Sequence, residues 1–584
     1  MTTSTVHKGG EWLTTDVTAD DVFTPERLSD EHRLVGQTAQ EFVTKEVLPA
    51  LPELEKKNWT VARSLIKRAG DLGLLGTDVP EALGGVALDK AASIVVGEII
   101  GTTASFATTF GAQTGLAIIP ILCFGTEAQQ RTYLPRILSG EIIGAYCMSE
   151  SASGSDALGA RARATRQPDG SWRLNGEKLW ITNGGFADVF IVFAKVDGEQ
   201  FSAFIVERGF KGIASGKEEH KMGLQGSSTT PILLSDAEVP AANLLGDVGK
   251  GHKIAFNVLN YGRFKLAAMC SGGAKAVVAE AVAYANSRRQ FGQPIAAFGA
   301  IRHKLAEMTV RTFAIESALY RMAGLIDAAT GSASHSAAAL EEFAVEASAL
   351  KVAATEMLDY AVDENVQIHG GNGFVADYPA EKHFRDARVN RIFEGTNEIN
   401  RLLVPGMLIK RSLKGGVPVI EAARRLRDEL LGPAAAAADG DNALANARQT
   451  VGALKKAALM AIGLALEKYG ESIHQEQEIL MLLADIIIDV FIAESAVLRA
   501  EQAASGRHAM AALQADAAAV YAHDAGLRAD AAARTLLASV ASGDGLRTAL
   551  AALRRVLKVA PLDTIAARRR IAEAVIVRRA YLFG

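Results

Sequence analysis

The apolar and polar positions along the chain change rhythm three times. From about Asp30 to Ile143, stretches such as DEHRLVGQTAQEFVTKEV and ARSLIKRAGDLGLLG carry apolar residues at three- and four-residue spacing, the period of a helix with one buried face. Between about Ala145 and Gly249 the period shortens towards two. There DVFIVFAK and FSAFIVE flank the turn VDGEQ and QPDGSWRLNG supplies another turn, which predicts a small antiparallel β domain. Long helical patterns return from Gly251 to about Leu413, in AKAVVAEAVAYANSRRQ and FAVEASALKVAATEMLDYAVDENVQIHG. After KGGVP the remainder is alanine-rich and helical, interrupted at LGPAAAAADGDN. The expected architecture is α+β rather than a doubly wound sheet. It comprises an N-terminal helical domain (1–144), a middle β domain (145–250), a helical bundle (251–413) and an extra all-helical domain (414–584).

The run ILMLLADIIIDVFIAESAVL is apolar enough to suggest a membrane span, but Asp485, Asp489 and Glu494 interrupt it. Each would cost about 2.5–3.5 kcal/mol at a bilayer centre, so a buried bundle helix is expected. A chain of 584 residues needs several cores, and 49% hydrophobic with 22% charged residues describes an ordinary globular protein. The net charge of −4 argues against nucleic acid as a partner, because that footprint is strongly basic. Cys123, Cys147 and Cys270 are far apart in apolar settings, which encodes neither a disulfide framework nor a cysteine zinc site. The histidines show no metal-ligand spacing. The opening MTTSTVHKGGEWLTTDVTADDVF has no apolar stretch and too many acids for a transit peptide, so a bacterial source would imply a cytoplasmic location.

RIFEGTNEIN places two carboxylates four positions apart. Glu398 begins a helical pattern, where an acid complements the helix dipole. Glu394 precedes that helix, follows Ile392 and Phe393, and adjoins a glycine that lets another molecule approach. Apolar neighbours raise a carboxyl pKa, which makes Glu394 the candidate general base. GNGFVA, from Gly371, matches a relaxed dinucleotide fingerprint, but it follows a helical pattern instead of a strand. In SESASGSD, hydroxyls and a tight-turn glycine could meet a phosphate or a ring edge, or form an ordinary polar loop. In KLWITNGG, strand alternation puts Trp180 and Thr182 on one face, a wall for a flat ring or simply core. Arg288 and Arg289 in SRRQFG suit a pyrophosphate, and equally a helix C-terminus.

Taken in order, SESASGSD, KLWITNGG, NYGRFKLAA, SRRQFG, QIHGGNGF and RIFEGTNEINRLL resemble the acyl-CoA dehydrogenase family over residues 30 to 412. The alanine-rich tail is similar to the extra helical domain of that family's very-long-chain branch. The resemblance implies helical, β and helical domains with FAD between them, and α,β-dehydrogenation of a fatty acyl-CoA. Glu394 would take the α-proton while hydride leaves the β-carbon for the flavin. Relatives that carry the base on the earlier helix place it at the position of Gly262, which has no acid here. The implied flavin contacts are Tyr146, Met148, Ser149, Gly154 and Ser155, with Trp180 and Thr182 flanking the ring. Arg288, Gln290, Phe291, Gln367, Gly370 and Gly371 would hold the pyrophosphate and adenine end, partly across a subunit boundary. Thr396 and Glu398 would lie near the same cofactor, and Ser155, Asn260, Arg263 and Gly395 near the substrate.

The chain departs from the family at Ser151, where proline is usual, which loosens the expected turn. Small residues at Gly111, Ala112 and Gly115 imply a deep cleft and long acyl chains. An electron-transfer flavoprotein is the expected acceptor; an acyl-CoA oxidase using oxygen, or a non-catalytic assembly factor on this fold, is the alternative. The tail is expected to make the protein a homodimer. The arginines at 554, 555, 568 to 570 and 578 to 579 are expected on a solvated face that could touch a membrane surface.

Overall fold

The computed structural model describes residues 7–330, 337–431 and 442–584, so the interruption expected at LGPAAAAADGDN falls almost wholly outside the described residues. The helical period of the first third becomes the helices Asp30–Phe42, Trp59–Asp71, Lys90–Gly101, Ser105–Gly111, Ile118–Phe124 and Glu127–Leu138. Their starts are written locally. Ser29, Asp89 and Thr126 each accept a hydrogen bond from the backbone N–H three residues on, which satisfies a donor the helix itself cannot. A π-helical turn, Ala112–Ala117, joins the fourth and fifth of these helices. Such turns widen a helix and concentrate at functional sites.

The segment before Asp30 touches the N-terminal helices through Phe23 on His32 but finds most of its polar partners in the C-terminal half. Trp12, Leu13, Val17 and Val22 enter the core of the C-terminal half, and Trp12 Nε1 donates to Glu346 at 2.8 Å. Lys455 donates to the carbonyl of Thr15, Thr24 donates to Gln502, and Glu26 receives the buried Arg499. The segment straps the bundle to the tail. These partners lie hundreds of positions away, which a local periodicity cannot report.

The middle sheet has eight strands: β1 (Gly144–Cys147), β2 (Arg163–Arg166), β3 (Trp172–Thr182), β4 (Val189–Val196), β5 (Gln200–Glu207), β6 (Ile213–Ser215), β7 (Thr229–Val239) and β8 (Leu244–Leu245). Its order is β6-β7-β3-β2-β4-β5-β8, with β1 also on β4. The expected antiparallel sheet is in fact mixed. β1 pairs in parallel with Val189–Val192 and β2 in parallel with Lys195 and Val196, two successive stretches of β4. The SESASGSD loop connects these two strands and leaves the sheet between them.

The bundle consists of Gly251–Ser287, Gly299–Thr330, Ala344–His369 and Asn397–Leu413, with shorter turns. The tail adds Val419–Leu431, Ala443–Tyr469, Gln477–Ser505, Ala511–Val540, Gly543–Val556 and Thr564–Arg578. Bundle and tail share one apolar core, in which Phe313 meets Phe583 with ring centroids 4.8 Å apart. The run that suggested a membrane span is the central tail helix. Its acids are paired: Asp485 with Arg401, Asp489 with Arg528, and Glu494 with Arg321 and Lys455. Pairing offsets a burial cost that a lone charge could not bear. Of the C-terminal arginines, Arg554, Arg569, Arg570, Arg578 and Arg579 are exposed as expected, Arg570 pairing with Asp516, whereas Arg568 is buried against Glu307 and Asp524.

Candidate active site

The loop that ends at Asn397 is held in an unusual shape. Glu394 has φ 56° and Gly395 φ 81°. The left-handed region suits glycine but strains a glutamate, and such strain persists only where surrounding bonds impose it. Those bonds are present. Arg263 Nε donates to the Glu394 carbonyl at 3.1 Å, while Asn400 Nδ2 and Lys351 Nζ each donate to the Gly395 carbonyl at 2.8 Å. Thr396 then caps the helix Asn397–Leu413, accepting from Ile399 N–H. Glu398 is exposed in the first turn of that helix.

The side chain of Glu394 turns towards Gly262. A Cβ added at Gly262 would stand 2.6 Å from Glu394 Oε2, so glycine there is a requirement of space. Oε2 is buried and has no hydrogen-bond partner. Burial pushes the carboxyl up to about 7, against the opposing pull of Arg263 and Lys351. Tyr146 lies close enough for burial and the Glu394 charge together to raise its phenol well above the usual range.

Glu394 faces a cleft with mostly apolar walls. Thr182, Phe393 and Gly262 surround its catalytic end. From there it runs along the helix Gly251–Ser287, past Met269 and Gly273 to Val277, with Leu116, Gly111, Thr108 and Gly101 of the N-terminal helices on the facing side. Fifteen residues separate Gly262 from Val277, or ~22 Å of helix. The π-helical turn supplies Ala112, Gly115 and Leu116 to the wall. It is tied to the sheet by Gln113, which donates to the carbonyls of Ile137 and Ile142 and accepts from Gly144 N–H.

On the sheet side, Trp180 and Thr182 end β3, but simple alternation does not direct them. Leu179 and Trp180 together stand opposite Pro231 in a bulge, and Trp180 adopts φ 57° while remaining 59% exposed. A bulky residue held left-handed and open marks a site shaped for something else. The loop beside it is firm despite Ser151. Glu150 accepts from the backbone N–H groups of Arg161 and Ala162 and from Lys178, and Leu179 N–H donates to the Ser149 carbonyl. Tyr146, Met148 and Ser149 are thereby held near Trp180, and Gly154 and Ser155 lie exposed on the same loop.

The remaining sequence candidates form a second cluster. Arg288 follows the helix Gly251–Ser287, and Gln290 and Phe291 enter a tight hairpin. Gln367, Gly370 and Gly371 sit at the end of Ala344–His369, held close by His369 stacked on Tyr284 with centroids 3.9 Å apart. Added Cβ atoms at Gly154, Gly370 and Gly371 would meet nothing within 4 Å, so all three backbones are open to a ligand. Exposed ring wall, hydroxyl loop, arginine and open glycine turns fit the parts of a flavin dinucleotide. Asn260 and Arg263 are buried behind the base loop, bonded to each other at 3.0 Å. The sequence did not single out Lys351, Asn397, Asn400, Gln113 or Glu150. For Lys351 there was a signal, a lone charge inside the apolar run SALKVAA.

A carboxylate with a buried, partnerless oxygen at the head of a long apolar cleft that Thr182 also lines, with the exposed Trp180 two residues before it, places the protein among flavin-linked dehydrogenases of apolar chains. Comparison with known proteins carries this to a family. Acyl-CoA dehydrogenase domain models match along the chain: the N-terminal domain at 29–141, the middle domain at 145–237, and two models described as C-terminal domain at 249–407 and 453–555. A probable acyl-CoA dehydrogenase of Bacillus subtilis (strain 168) is 45% identical over 586 residues, covering 99% of this chain and 98% of that protein. An acyl-CoA dehydrogenase from Bacillus anthracis, solved in complex with FAD, matches with a TM-score of 0.96 at 45% identity, covering 99% of this chain and 100% of that one. The mitochondrial very long-chain specific enzyme of Rattus norvegicus is 39% identical over 382 residues, covering 64% of this chain and 56% of that protein. The chain belongs to the acyl-CoA dehydrogenase family and is an FAD-dependent acyl-CoA dehydrogenase.

Proposed function

We propose that the enzyme introduces the trans-2 double bond into long-chain fatty acyl-CoA in fatty acid β-oxidation, as a homodimer that passes electrons to an electron-transfer flavoprotein. The cavity carries the chain-length assignment. Gly101, Ala104, Ala107, Gly111, Ala112 and Gly115 leave one wall almost without side chains along its length. Each methylene that such a cleft buries contributes about 0.8 kcal/mol, so affinity grows with chain length until the cleft is full.

Glu394 performs the proton abstraction. Its ordinary carboxyl would be too weak a base at neutral pH, and burial without a hydrogen-bond donor on Oε2 brings it to the working range. The bonds from Arg263, Lys351 and Asn400 to the loop carbonyls hold the carboxylate in place as substrate arrives. Apolar walls exclude water, which strengthens every charge interaction with the developing enolate. FAD, when bound, accepts the hydride; Trp180, Thr182 and the loop Tyr146 to Ser155 are the residues that would hold its ring.

Two observations support a dimer. The second cofactor cluster begins 26 residues beyond Gly262 on one helix, or ~39 Å, further than one dinucleotide stretches from the base. That cluster also carries Phe291 at 92% and Phe374 at 86% exposure, apolar surface of the kind that marks an interface. The test is anaerobic flavin reduction with acyl-CoAs of increasing length, alongside light scattering. Faster reduction by palmitoyl-CoA than by butyryl-CoA and a dimeric mass are expected. The reverse preference refutes the cavity argument, and a tetramer refutes the dimer. Reoxidation by oxygen as fast as by electron-transfer flavoprotein would make the enzyme an oxidase.

A further inference from the structure

The tail domain reaches the catalytic loop through a continuous chain of charged and amide side chains. Asp485, on the tail helix Gln477–Ser505, accepts from Arg401 Nε at 2.7 Å. The other two nitrogens of Arg401 grip both oxygens of Glu356, at 2.6 and 2.9 Å. Glu356 Oε1 also accepts from Asn397 Nδ2 at 3.0 Å, and Asn397 Oδ1 accepts from Lys351 Nζ at 2.7 Å. Lys351 ends the relay at the Gly395 carbonyl, 2.8 Å away, one residue from the base. We propose that Asp485 is a positioning residue for catalysis, acting through Arg401, Glu356, Asn397 and Lys351 to hold the strained Glu394–Gly395 turn. The tail is thus part of the catalytic apparatus as well as a packing domain.

Three features favour a positioning role over a merely structural one. Arg401 and Glu356 are fixed in orientation, since a two-pronged guanidinium–carboxylate pair fixes angle as well as distance. Asn397 and Lys351 are buried, where hydrogen bonds are stiff and slack in one is passed to the next. The relay also ends in an electrostatic effect. Lys351 is the relay member whose charge pulls the Glu394 carboxyl down, and it faces Glu394, Arg263, Cys270, Glu356 and Glu398 from the surrounding elements. A Lys351 that drifts from the Gly395 carbonyl weakens that pull and lets the base pKa rise.

The inference rests on Glu394 as base and is tested on the full-length, FAD-loaded enzyme. Asp485→Asn is expected to lower kcat roughly threefold to thirtyfold with KM little changed, as small misplacements of a catalytic group do. The acidic limb of kcat/KM should move to higher pH, and amide exchange at Gly395–Asn400 should quicken. Lys351→Met should show a larger shift in the same direction. Asp516→Asn is the control, because it breaks the Asp516–Arg570 pair within the tail without touching the relay. It should leave kcat and the pH profile unchanged. Wild-type kinetics and exchange in Asp485→Asn overturn the proposal, as does a loss of thermal stability shared equally by Asp485→Asn and Asp516→Asn with no kinetic difference. A fully active Glu394→Gln would instead overturn the assignment of the base.

Discussion

Replacing Glu394 with glutamine should make the protein more stable at neutral pH while removing its activity. The folded protein holds this carboxyl at about 7, whereas the unfolded chain exposes it near its ordinary 4.5. Below pH 4.5 the group is neutral in both states and the substitution has little effect on stability. As pH rises from 4.5 to 7 the unfolded chain ionises and the folded protein does not, so the wild type loses stability throughout that window. Above pH 7 both states are ionised and the difference levels off. A separation of about 2.5 pH units corresponds to about 3 kcal/mol, at 1.36 kcal/mol per unit. With unfolding entropy of ~2.1 cal/mol/K per residue, that is a rise of about 2 °C in the melting temperature of a chain this long. Calorimetry of wild type and Glu394→Gln at pH 4.5, 6 and 8 should show the gap opening between the first and last values. A gap that is constant across the series, or one favouring the wild type at pH 8, would refute a buried base held against its own ionisation.

Other consequences follow from the same geometry. The ionised fraction of Glu394 goes from about 9% at pH 6 to about 91% at pH 8 for a pKa of about 7, so kcat/KM should rise about tenfold across that interval; a flat profile would exclude Glu394 as the titrating base. Gly262→Ala would set a methyl 2.6 Å from Glu394 Oε2 and should depress flavin reduction at least tenfold while FAD content is retained, read by the visible spectrum and stopped-flow absorbance. Met269 narrows the cleft midway, since its Cε lies 2.9 Å from where a Cβ at Gly111 would stand. Met269→Ala should therefore favour longer acyl chains and Met269→Phe shorter ones, judged by reduction rates across a chain-length series. Glu150→Gln weakens the charge-assisted bonds that brace the flavin loop and should raise the FAD dissociation constant several-fold.

Glu394 stood out as the candidate base because local chemistry set it apart from Glu398. Glu398 followed a helix-capping threonine and took the first-turn place its surroundings suggest, whereas Glu394, among apolar neighbours and beside glycine, took the buried one. The sequence of helical, β and helical stretches was legible for the same reason, since a buried face imposes its period on the residues that form it. What stayed hidden depends on partners remote in sequence. The parallel pairing of β1 and β2 with β4 is a property of the connections between strands, and the strap before Asp30 is set by Glu346, Lys455 and Arg499. The bulge at Trp180 alters direction without altering composition. The relay from Asp485 to Lys351 draws on five residues from three helices, and only the lone lysine in an apolar run announced any part of it.

The central claim is that Glu394 removes the α-proton of a bound acyl-CoA so that the flavin can be reduced. Anaerobic stopped-flow mixing of the FAD-loaded wild type and Glu394→Gln with palmitoyl-CoA, followed at the visible flavin band, tests it most directly. The wild type should bleach rapidly, and the variant should bind the thioester with a perturbed flavin spectrum and no bleaching. Bleaching of Glu394→Gln at a rate near that of the wild type would contradict the account.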